Sequence, residues 1–139
     1  MSKIYIIESV FYKDLALKMH EAAESILSLS ENEWSTFSVP GVMEIPAALK
    51  FILSRDNTPI DAGFIVLGCV IKGETSHHEH VARECMRGLT DLIINYSVSL
   101  GNGVLTCNDL DQASKRSWDK GIFASQAALT MMDLKKSLL

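Results

Sequence analysis

Residues 62–81 read AGFIVLGCVIKGETSHHEHV, and this stretch carries the pattern that decides the fold. The continuous apolar run Ala62–Leu67 predicts a strand that is buried on both faces, as strands are in a parallel sheet. Gly73 predicts a turn, and the residues after it follow helical spacing. A helix that opens after such a strand and turn presents free N–H groups and the positive end of its dipole to an anion. The stretch therefore predicts an α/β protein that binds an anionic group at residues 73–76.

β-rich runs and segments with helical periodicity alternate along the rest of the chain. We expect strands at Ile4–Ile7, Trp34–Val39, Ala62–Leu67 and Val104–Cys107, and helices at Lys13–Ser30, Glu44–Arg55, Glu79–Tyr96, Asn108–Arg116 and Gly121–Lys136. The sequence Gly101-Asn102-Gly103 predicts a turn before the fourth strand, and residues 117–119 predict a break between the last two helices. This alternation predicts right-handed crossovers and a four-stranded parallel sheet with helices on both faces.

Length and composition limit the classes of protein to which the chain can belong. Its 139 residues, 47% hydrophobic and 22% charged, predict one domain spanning 1–139. A net charge of −4 without any basic run gives no support to a nucleic-acid partner. No apolar segment reaches the roughly 18 residues of a membrane span, and the N-terminus lacks signal-peptide features, so we expect a cytoplasmic protein with no membrane partner. Cys69, Cys85 and Cys107 have neither C-x-x-C nor metal-ligand spacing, which is typical of reduced, buried thiols.

The ligands of an open parallel sheet bind beyond the carboxyl ends of its strands. We expect that edge to gather Phe11, the Gly41–Glu44 turn, the Cys69–His77 loop and the Gly101–Gly103 turn. Phe11 directly follows the first strand, and it either stacks on a planar ligand or packs in the core. Glu44 opens a helix, where a carboxylate is favourable whether or not it meets a substrate.

His77 is the strongest candidate for a catalytic residue. It lies close to the expected start of a helix, and an imidazole can accept or donate a proton near neutral pH. The alternative is that His77, His78 and His80 are simply polar surface residues. His77 and His80, three residues apart on a helix, could also share a metal, but no further thiol or carboxylate pattern completes such a site.

Residues 73–76 are the candidate phosphate cradle, because they supply backbone N–H groups and two hydroxyls. They form neither a Walker A loop nor a G-x-G-x-x-G motif, so a nucleotide is not implied. Arg116 and Lys120 follow the fourth strand and either provide the counter-charge or are solvated surface charges. These residues by themselves predict an α/β enzyme that acts on a small phosphorylated compound with acid–base help from a histidine.

Several separated motifs together resemble the lumazine synthases, which catalyse the penultimate step of riboflavin biosynthesis. The motifs are VPGVMEIP at 39–46, LGCVIKGETSH at 67–77, GVLT at 103–106, Asp111-Gln112-Ala113 with Arg116, and Lys120-Gly121. They stand in the order of the family and span nearly the whole chain. The resemblance implies a flavodoxin-like three-layer α/β/α sandwich that acts on small-molecule substrates and uses no metal or organic cofactor.

The implied reaction condenses 5-amino-6-(D-ribitylamino)uracil with 3,4-dihydroxy-2-butanone 4-phosphate and gives 6,7-dimethyl-8-ribityllumazine, phosphate and water. By position, the resemblance implies that His77 transfers protons and that Phe11 stacks on the pyrimidine ring. It also implies that Lys120 adds positive charge near the phosphate. The other implied contacts are Val42, Met43 and Glu44 with the ribityl chain, Cys69, Val70 and Ile71 with the ring edge, and Glu74, Thr75 and Arg116 with the phosphate.

The chain departs from the common pattern of the family at positions that belong to the implied site. Asn102 stands where many members have an aromatic residue that covers the pyrimidine from a neighbouring subunit, so stacking would rest on Phe11. Tyr12 replaces a frequent Asn, Lys72 a frequent Arg, and His78 a frequent aromatic residue. None of these changes removes the catalytic histidine, and we expect an active enzyme.

Members of the family assemble as homopentamers, and some build their pentamers into icosahedral capsids. The link at Ser117–Asp119 is shorter than in the capsid-forming type, and the N-terminus is short, which favours a free pentamer. The rival interpretations are a non-catalytic flavin- or lumazine-binding protein on the same fold, a metal-dependent hydrolase that uses the histidines, and an electron-transfer module that binds phosphate or flavin mononucleotide.

Overall fold

Strands and helices alternate along the chain in the computed structural model, which describes residues 2–139. In order, the elements are β1 (Lys3–Ser9), α1 (Lys13–Leu27), β2 (Glu33–Val39), a 3₁₀ turn (Val42–Glu44), α2 (Ile45–Leu53), β3 (Gly63–Ile71), α3 (His77–Tyr96), β4 (Ser99–Cys107) and α4 (Leu110–Leu138). Among these residues, no helix has the length and apolar character that crossing a membrane requires.

The four strands form one parallel sheet in the order β2-β1-β3-β4. The chain begins at β1, moves outward to β2, and then returns past β1 to β3 and β4. The direction of winding therefore changes between β1 and β3, where Ile6 pairs with Ile65. In such sheets the crevice above the carboxyl ends of these two strands is the preferred place for a ligand.

Alternating side chains of β1 and β3 divide the interior into two apolar cores, one on each face of the sheet. Helices α2 and α3 cover the first core, and α1 and α4 cover the second. The first core includes Tyr5, Ile7, Phe64, Val66, Leu49 and Leu89, and the second includes Ile4, Ile6, Ile65, Leu67, Leu15 and Met19. This arrangement confirms the predicted three-layer α/β/α sandwich of the flavodoxin-like type.

The expected turn at Gly101–Gly103 is wrong, because all three residues belong to β4. They pair with residues 65–67 of β3, well before the carboxyl end of the strand. Helix α4 packs so closely on β4 that a Cβ atom at Gly101 would clash with the carbonyl oxygen of Ala124. Gly101 is therefore required for close packing, and not for a change of chain direction.

The expected break at residues 117–119 is also wrong, since α4 is one continuous helix of 29 residues. Asp109 caps it, and its side chain accepts a hydrogen bond from the Gln112 N–H at 2.8 Å. Small buried residues then recur on one face of α4. At Gly121 a Cβ would lie 2.7 Å from the carbonyl oxygen of Met19 on α1. Tertiary packing of this small-residue face outweighs the weak helix propensity of its serine and glycine residues.

Candidate active site

A pocket of about 550 Å³ lies above the carboxyl ends of the strands, at the position that the topology predicts. Four segments line it: residues 11–12 after β1, residues 40–44 after β2, residues 69–71 at the end of β3, and residues from 73–81 in the loop and first turns of α3. The predicted residues among its lining are Phe11, Val42, Met43, Glu44, Cys69, Val70, Ile71, Thr75 and His77. Four separated parts of the predicted site thus meet in one pocket.

The inner wall of the pocket is apolar and buried. Val42, Cys69 and Val70 are each less than 10% exposed. The 3₁₀ turn approaches β3 closely, because a Cβ atom at Gly68 would lie 2.9 Å from a methyl carbon of Val42. Glycine at position 68 therefore lets the VPG segment close over the end of the sheet and form one side of the pocket.

An aromatic pair forms the opposite rim. The Phe11 side chain is 68% exposed. Its ring meets the Tyr12 ring edge to face, with 4.9 Å between the centroids and 82° between the planes. An exposed aromatic ring over an apolar pocket can cover a planar ligand, which is the role predicted for Phe11.

The polar edge of the pocket is the start of α3. The helix begins at His77, two residues earlier than expected, and the Ser76 side chain makes no capping hydrogen bond. The His77 N–H donates to the Thr75 hydroxyl at 3.2 Å, and His78 Nδ1 lies 3.2 Å from the Thr75 carbonyl oxygen. The exposed His77 imidazole makes no side-chain hydrogen bond with the part of the chain that the structure describes. Its ring is therefore available to a ligand.

Three predicted site residues do not line the pocket of their own chain: Glu74, Asn102 and Arg116. Asn102 lies within β4, where its amide donates to the Met86 sulfur at 3.1 Å and its oxygen accepts from the Val104 N–H at 3.0 Å. Arg116 is exposed on α4, and Lys120 on the same helix lies 5.3 Å from the centre of the Phe123 ring. The chain therefore does not bring these α4 cations to the candidate phosphate cradle.

The described lining of the pocket carries an acidic side chain and no lysine or arginine that could attract an anion. Glu44 is the only acidic or basic residue other than histidine among the described lining residues, and neither Lys nor Arg contributes to it. Charge-assisted hydrogen bonds from Arg or Lys are among the strongest contacts that a protein makes with a phosphate. Residues 2–139 of a single chain therefore bring no such contact to the pocket lining.

All three cysteines are buried. Burial, and then the neighbouring Cys107, raises the pKa of Cys69 to about 12, and burial raises the pKa of Cys85 to about 11. A thiol attacks or binds a metal as its thiolate, so the Cys69 sulfur contributes an apolar wall to the pocket. Among residues 2–139, no three His, Cys, Asp or Glu side chains are grouped as a metal site requires.

Reasoning from the sequence missed two parts of the lining. Val81 lies one helical turn after His77, and this spacing of four residues places both on the pocket side of α3. Tyr12 lines the pocket beside Phe11, although the sequence drew attention to it only as a replacement for Asn. Burial, together with Cys69, raises the pKa of its phenol.

The family model for 6,7-dimethyl-8-ribityllumazine synthase matches residues 1–136. The chain belongs to this family. A 6,7-dimethyl-8-ribityllumazine synthase of Agrobacterium fabrum is 43% identical over 147 aligned positions, which cover 99% of each chain. One of Paramagnetospirillum magneticum is 40% identical, with 99% of this chain and 97% of the relative covered. The 6,7-dimethyl-8-ribityllumazine synthase 1 of Rhizobium meliloti is 42% identical, with 97% and 92% covered.

Membership of the lumazine synthase family confirms the resemblance found in the motifs. It also confirms an enzyme of riboflavin biosynthesis in the transferase class. Neither the family nor these relatives favour the non-catalytic binding protein on the same fold. The match includes every segment that lines the pocket.

Proposed function

We propose that this chain forms 6,7-dimethyl-8-ribityllumazine in the pocket above β1 and β3, with His77 as its acid–base group. One observation carries the proposal. The unpartnered imidazole at the start of α3 opens into the same pocket as the exposed Phe11 ring. A planar amine stacked on Phe11 would therefore lie within reach of a residue that can move protons at neutral pH.

The pyrimidine substrate, 5-amino-6-(D-ribitylamino)uracil, is assigned to the apolar side of the pocket. Its ring stacks on Phe11, with Cys69, Val70 and Ile71 at its edge. Its ribityl chain runs along the turn after β2, past Val42, Met43 and Glu44, where the Glu44 carboxylate and backbone groups can accept hydroxyl hydrogen bonds. The apolar wall holds the ring, and the few polar groups fix its orientation.

The phosphate of 3,4-dihydroxy-2-butanone 4-phosphate is assigned to residues 73–76. Backbone N–H groups at Glu74 and Thr75, with the positive end of the α3 dipole, favour the anion. Since neither Lys nor Arg lines the described pocket, we assign the counter-charge to Arg116 of a neighbouring copy of the chain. Its guanidinium is exposed on α4 and has no ion-pair partner among residues 2–139, as a group that acts across an interface requires.

In the reaction, the 5-amino nitrogen attacks the ketone carbon, and the carbinolamine loses water to give an imine. Removal of a proton from the adjacent carbon then expels phosphate, which leaves with the electron pair of the C–O bond. The enol that remains takes a proton at its terminal CH2 carbon and loses its hydroxyl proton, which gives a ketone. The ribityl-bearing nitrogen attacks this ketone and closes the ring, and loss of a second water completes the product. His77 takes and returns the protons. Each step needs proton transfer and positioning, so the scheme requires neither a metal nor an organic cofactor.

Assembly as a homopentamer is part of the proposal, because Arg116 can complete a pocket only across an interface. Large exposed apolar side chains support such an interface, among them Phe51, Ile94, Leu110 and Phe123. The preference for a free pentamer over a capsid rests on the short link at residues 117–119, which lies within α4. The three free thiols support a cytoplasmic location, where cysteines stay reduced.

The test is product formation from the two proposed substrates, followed by absorbance, with His77→Ala and a protein-free sample measured alongside the wild type. We expect His77→Ala to lower turnover by roughly 100-fold, since positioned acid–base groups contribute about 10² or more. His80→Ala is the matched control. His80 is exposed on the same turn of α3, but its imidazole does not line the pocket.

His80→Ala should keep turnover within about twofold of the wild type, because its ring takes no part in the proposed chemistry. Equal, small losses in the two histidine variants would overturn the site assignment. Wild-type protein no faster than the protein-free sample would instead favour the binding-protein interpretation.

A further inference from the structure

Phe11 is assigned the main stacking role, yet the structure leaves its ring largely unsupported. It is exposed on the short segment between β1 and α1. Asn102 has no aromatic ring, lies within β4 and does not line the same pocket. A stacking ring that rotates freely would lose entropy each time a ligand ordered it. A contact that holds the Phe11 ring in place before the substrate binds would avoid this entropy cost.

Tyr12 is the residue that contacts this ring. Neighbouring side chains of an extended strand point in opposite directions, so two adjacent rings meet only because the backbone bends at residues 11–12. The resulting arrangement is edge to face, with 4.9 Å between centroids and 82° between planes. Edge-to-face is a favoured geometry for two aromatic rings.

Tyr12, unlike Phe11, is anchored in the body of the protein. It occupies the N-cap position of α1, and its carbonyl oxygen accepts the first helical hydrogen bond, from the Ala16 N–H at 2.9 Å. Its half-buried side chain packs against the apolar core between the sheet and α1. Tyr12 and Cys69 also separate the pocket from a narrow crevice beneath α1 that Leu15 and Met19 line.

We propose that Tyr12 is a positioning residue: its anchored ring holds the Phe11 ring in the orientation that stacks on the pyrimidine. This inference rests on the proposed function, because it concerns the stacking of that substrate. The ring of Tyr12, and not its hydroxyl, makes this contact, since the hydroxyl forms no hydrogen bond among residues 2–139. Removal of the ring should weaken pyrimidine binding, whereas removal of the hydroxyl should not.

The experiment measures the Kd of 6,7-dimethyl-8-ribityllumazine by fluorescence titration, which does not depend on turnover. Edge-to-face pairs are worth a factor of roughly 3 to 10 in affinity, so Tyr12→Leu should raise Kd by about that much. Tyr12→Phe should stay within about twofold of the wild type. Tyr96→Leu is the matched control, because Tyr96 lies at the far end of α3 beside Lys50.

A double-mutant cycle separates positioning from a general loss of structure. In a Phe11→Leu background, Tyr12→Leu should change Kd by less than about twofold, since no ring is left to hold. In steady-state kinetics, Tyr12→Leu should raise KM for the pyrimidine and leave KM for the butanone phosphate and kcat nearly unchanged. Tyr12→Met replaces Tyr12→Leu in the cycle if the leucine variant has a lowered Tm.

Three results would overturn the inference in different ways. Equal losses from Tyr12→Leu with and without the Phe11 ring would mean that Tyr12 acts on the pocket wall itself. A Tyr12→Phe variant as weak as Tyr12→Leu would assign the effect to the hydroxyl. If the wild-type protein binds no 6,7-dimethyl-8-ribityllumazine, the proposed function is wrong as well. This outcome is distinguishable from the other two because it is seen in the wild type and not only in the variants.

Discussion

Two histidines on different helices of this protein lie in opposite surroundings. His20 on α1 is 21% exposed and held between two carboxylates, with 3.1 Å from Nδ1 to Glu8 and 3.3 Å from Nε2 to Glu24. His77, at the first turn of α3, is exposed, and its ring has no side-chain partner among residues 2–139. Both ring nitrogens of His20 are committed to the protein, while those of His77 remain free.

The difference separates a histidine that stabilises the fold from one that can act on a ligand. His20 joins the end of β1 to α1 within the same chain and needs nothing from outside. The site around His77 opens to solvent, and no Lys or Arg among residues 2–139 lines it for the proposed phosphate. Self-sufficient contacts are typical of structural sites, whereas open polar groups at a helix start are typical of functional ones.

After the loss of turnover expected for His77→Ala, the largest effect is expected from removal of Arg116, the residue proposed to complete the open site across an interface. Arg116→Ala should raise KM for the butanone phosphate by roughly 10-fold or more, because it removes the charge-assisted contact to the phosphate. The KM for the pyrimidine should change little. Lys115→Ala is the matched control, since Lys115 is exposed on the same helix and already pairs with Asp111 at 3.0 Å.

Mixed oligomers decide whether Arg116 acts from a neighbouring copy. If it does, unfolding and refolding His77→Ala and Arg116→Ala chains together should create sites that take both native residues from different chains. At a butanone phosphate concentration well below its KM, random mixing predicts about a quarter of wild-type activity. Under the same conditions we expect about a tenth or less from Arg116→Ala alone and about a hundredth from His77→Ala alone. Activity that stays at the level of the separate variants would place both residues in the same chain's site.

A smaller effect is expected from two buried thiols, Cys69 in the pocket wall and Cys85 on α3. The folded protein holds the pKa of Cys69 at about 12 and of Cys85 at about 11, against 9.0 for an unperturbed thiol. Above pH 9 the unfolded chain therefore releases protons that the folded chain retains. The free energy of unfolding should fall as the pH rises from about 9 towards 12.

Urea denaturation at pH 8, 9 and 10 measures this fall, with Cys85→Ala as the comparison. That variant loses one of the two raised pKa values, so its stability should depend less steeply on alkaline pH, even though its packing is weaker at pH 8. Folded protein should also react slowly with iodoacetamide at pH 8. Rapid alkylation of Cys69 in the folded state would contradict its burial.

The smallest effect is expected at His20. His20→Ala removes a partly buried contact between two carboxylates, so it should lower the free energy of unfolding by roughly 0.5–1 kcal/mol. Turnover should remain within about twofold of the wild type. Thermal denaturation checks the first expectation, and His80→Ala, an exposed histidine on α3, should leave Tm nearly unchanged. A loss of turnover in His20→Ala without a loss of stability would break the contrast between the two histidines.

Local patterns determined much of the fold and of the site. Periodicity and turn chemistry depend only on adjacent residues. The sequence could therefore predict local structure from the apolar run of β3, the Val39-Pro40-Gly41 turn and the glycine before α3. From them the sequence predicts the parallel sheet, the edge that holds the pocket, and His77 at its polar side. The family motifs then name the activity, and the family match confirms it.

Some residue types fit more than one local structure, and at such positions only the tertiary structure decided which one forms. Glycine serves a turn or a close contact, and only the packing of α4 on β4 shows that Gly101 serves the contact. Serine and aspartate at 117–119 suit a break or a helix, and packing against α1 selects the helix. The meeting of the Phe11 and Tyr12 rings likewise depends on where the chain bends, because sequence neighbours need not be neighbours in space.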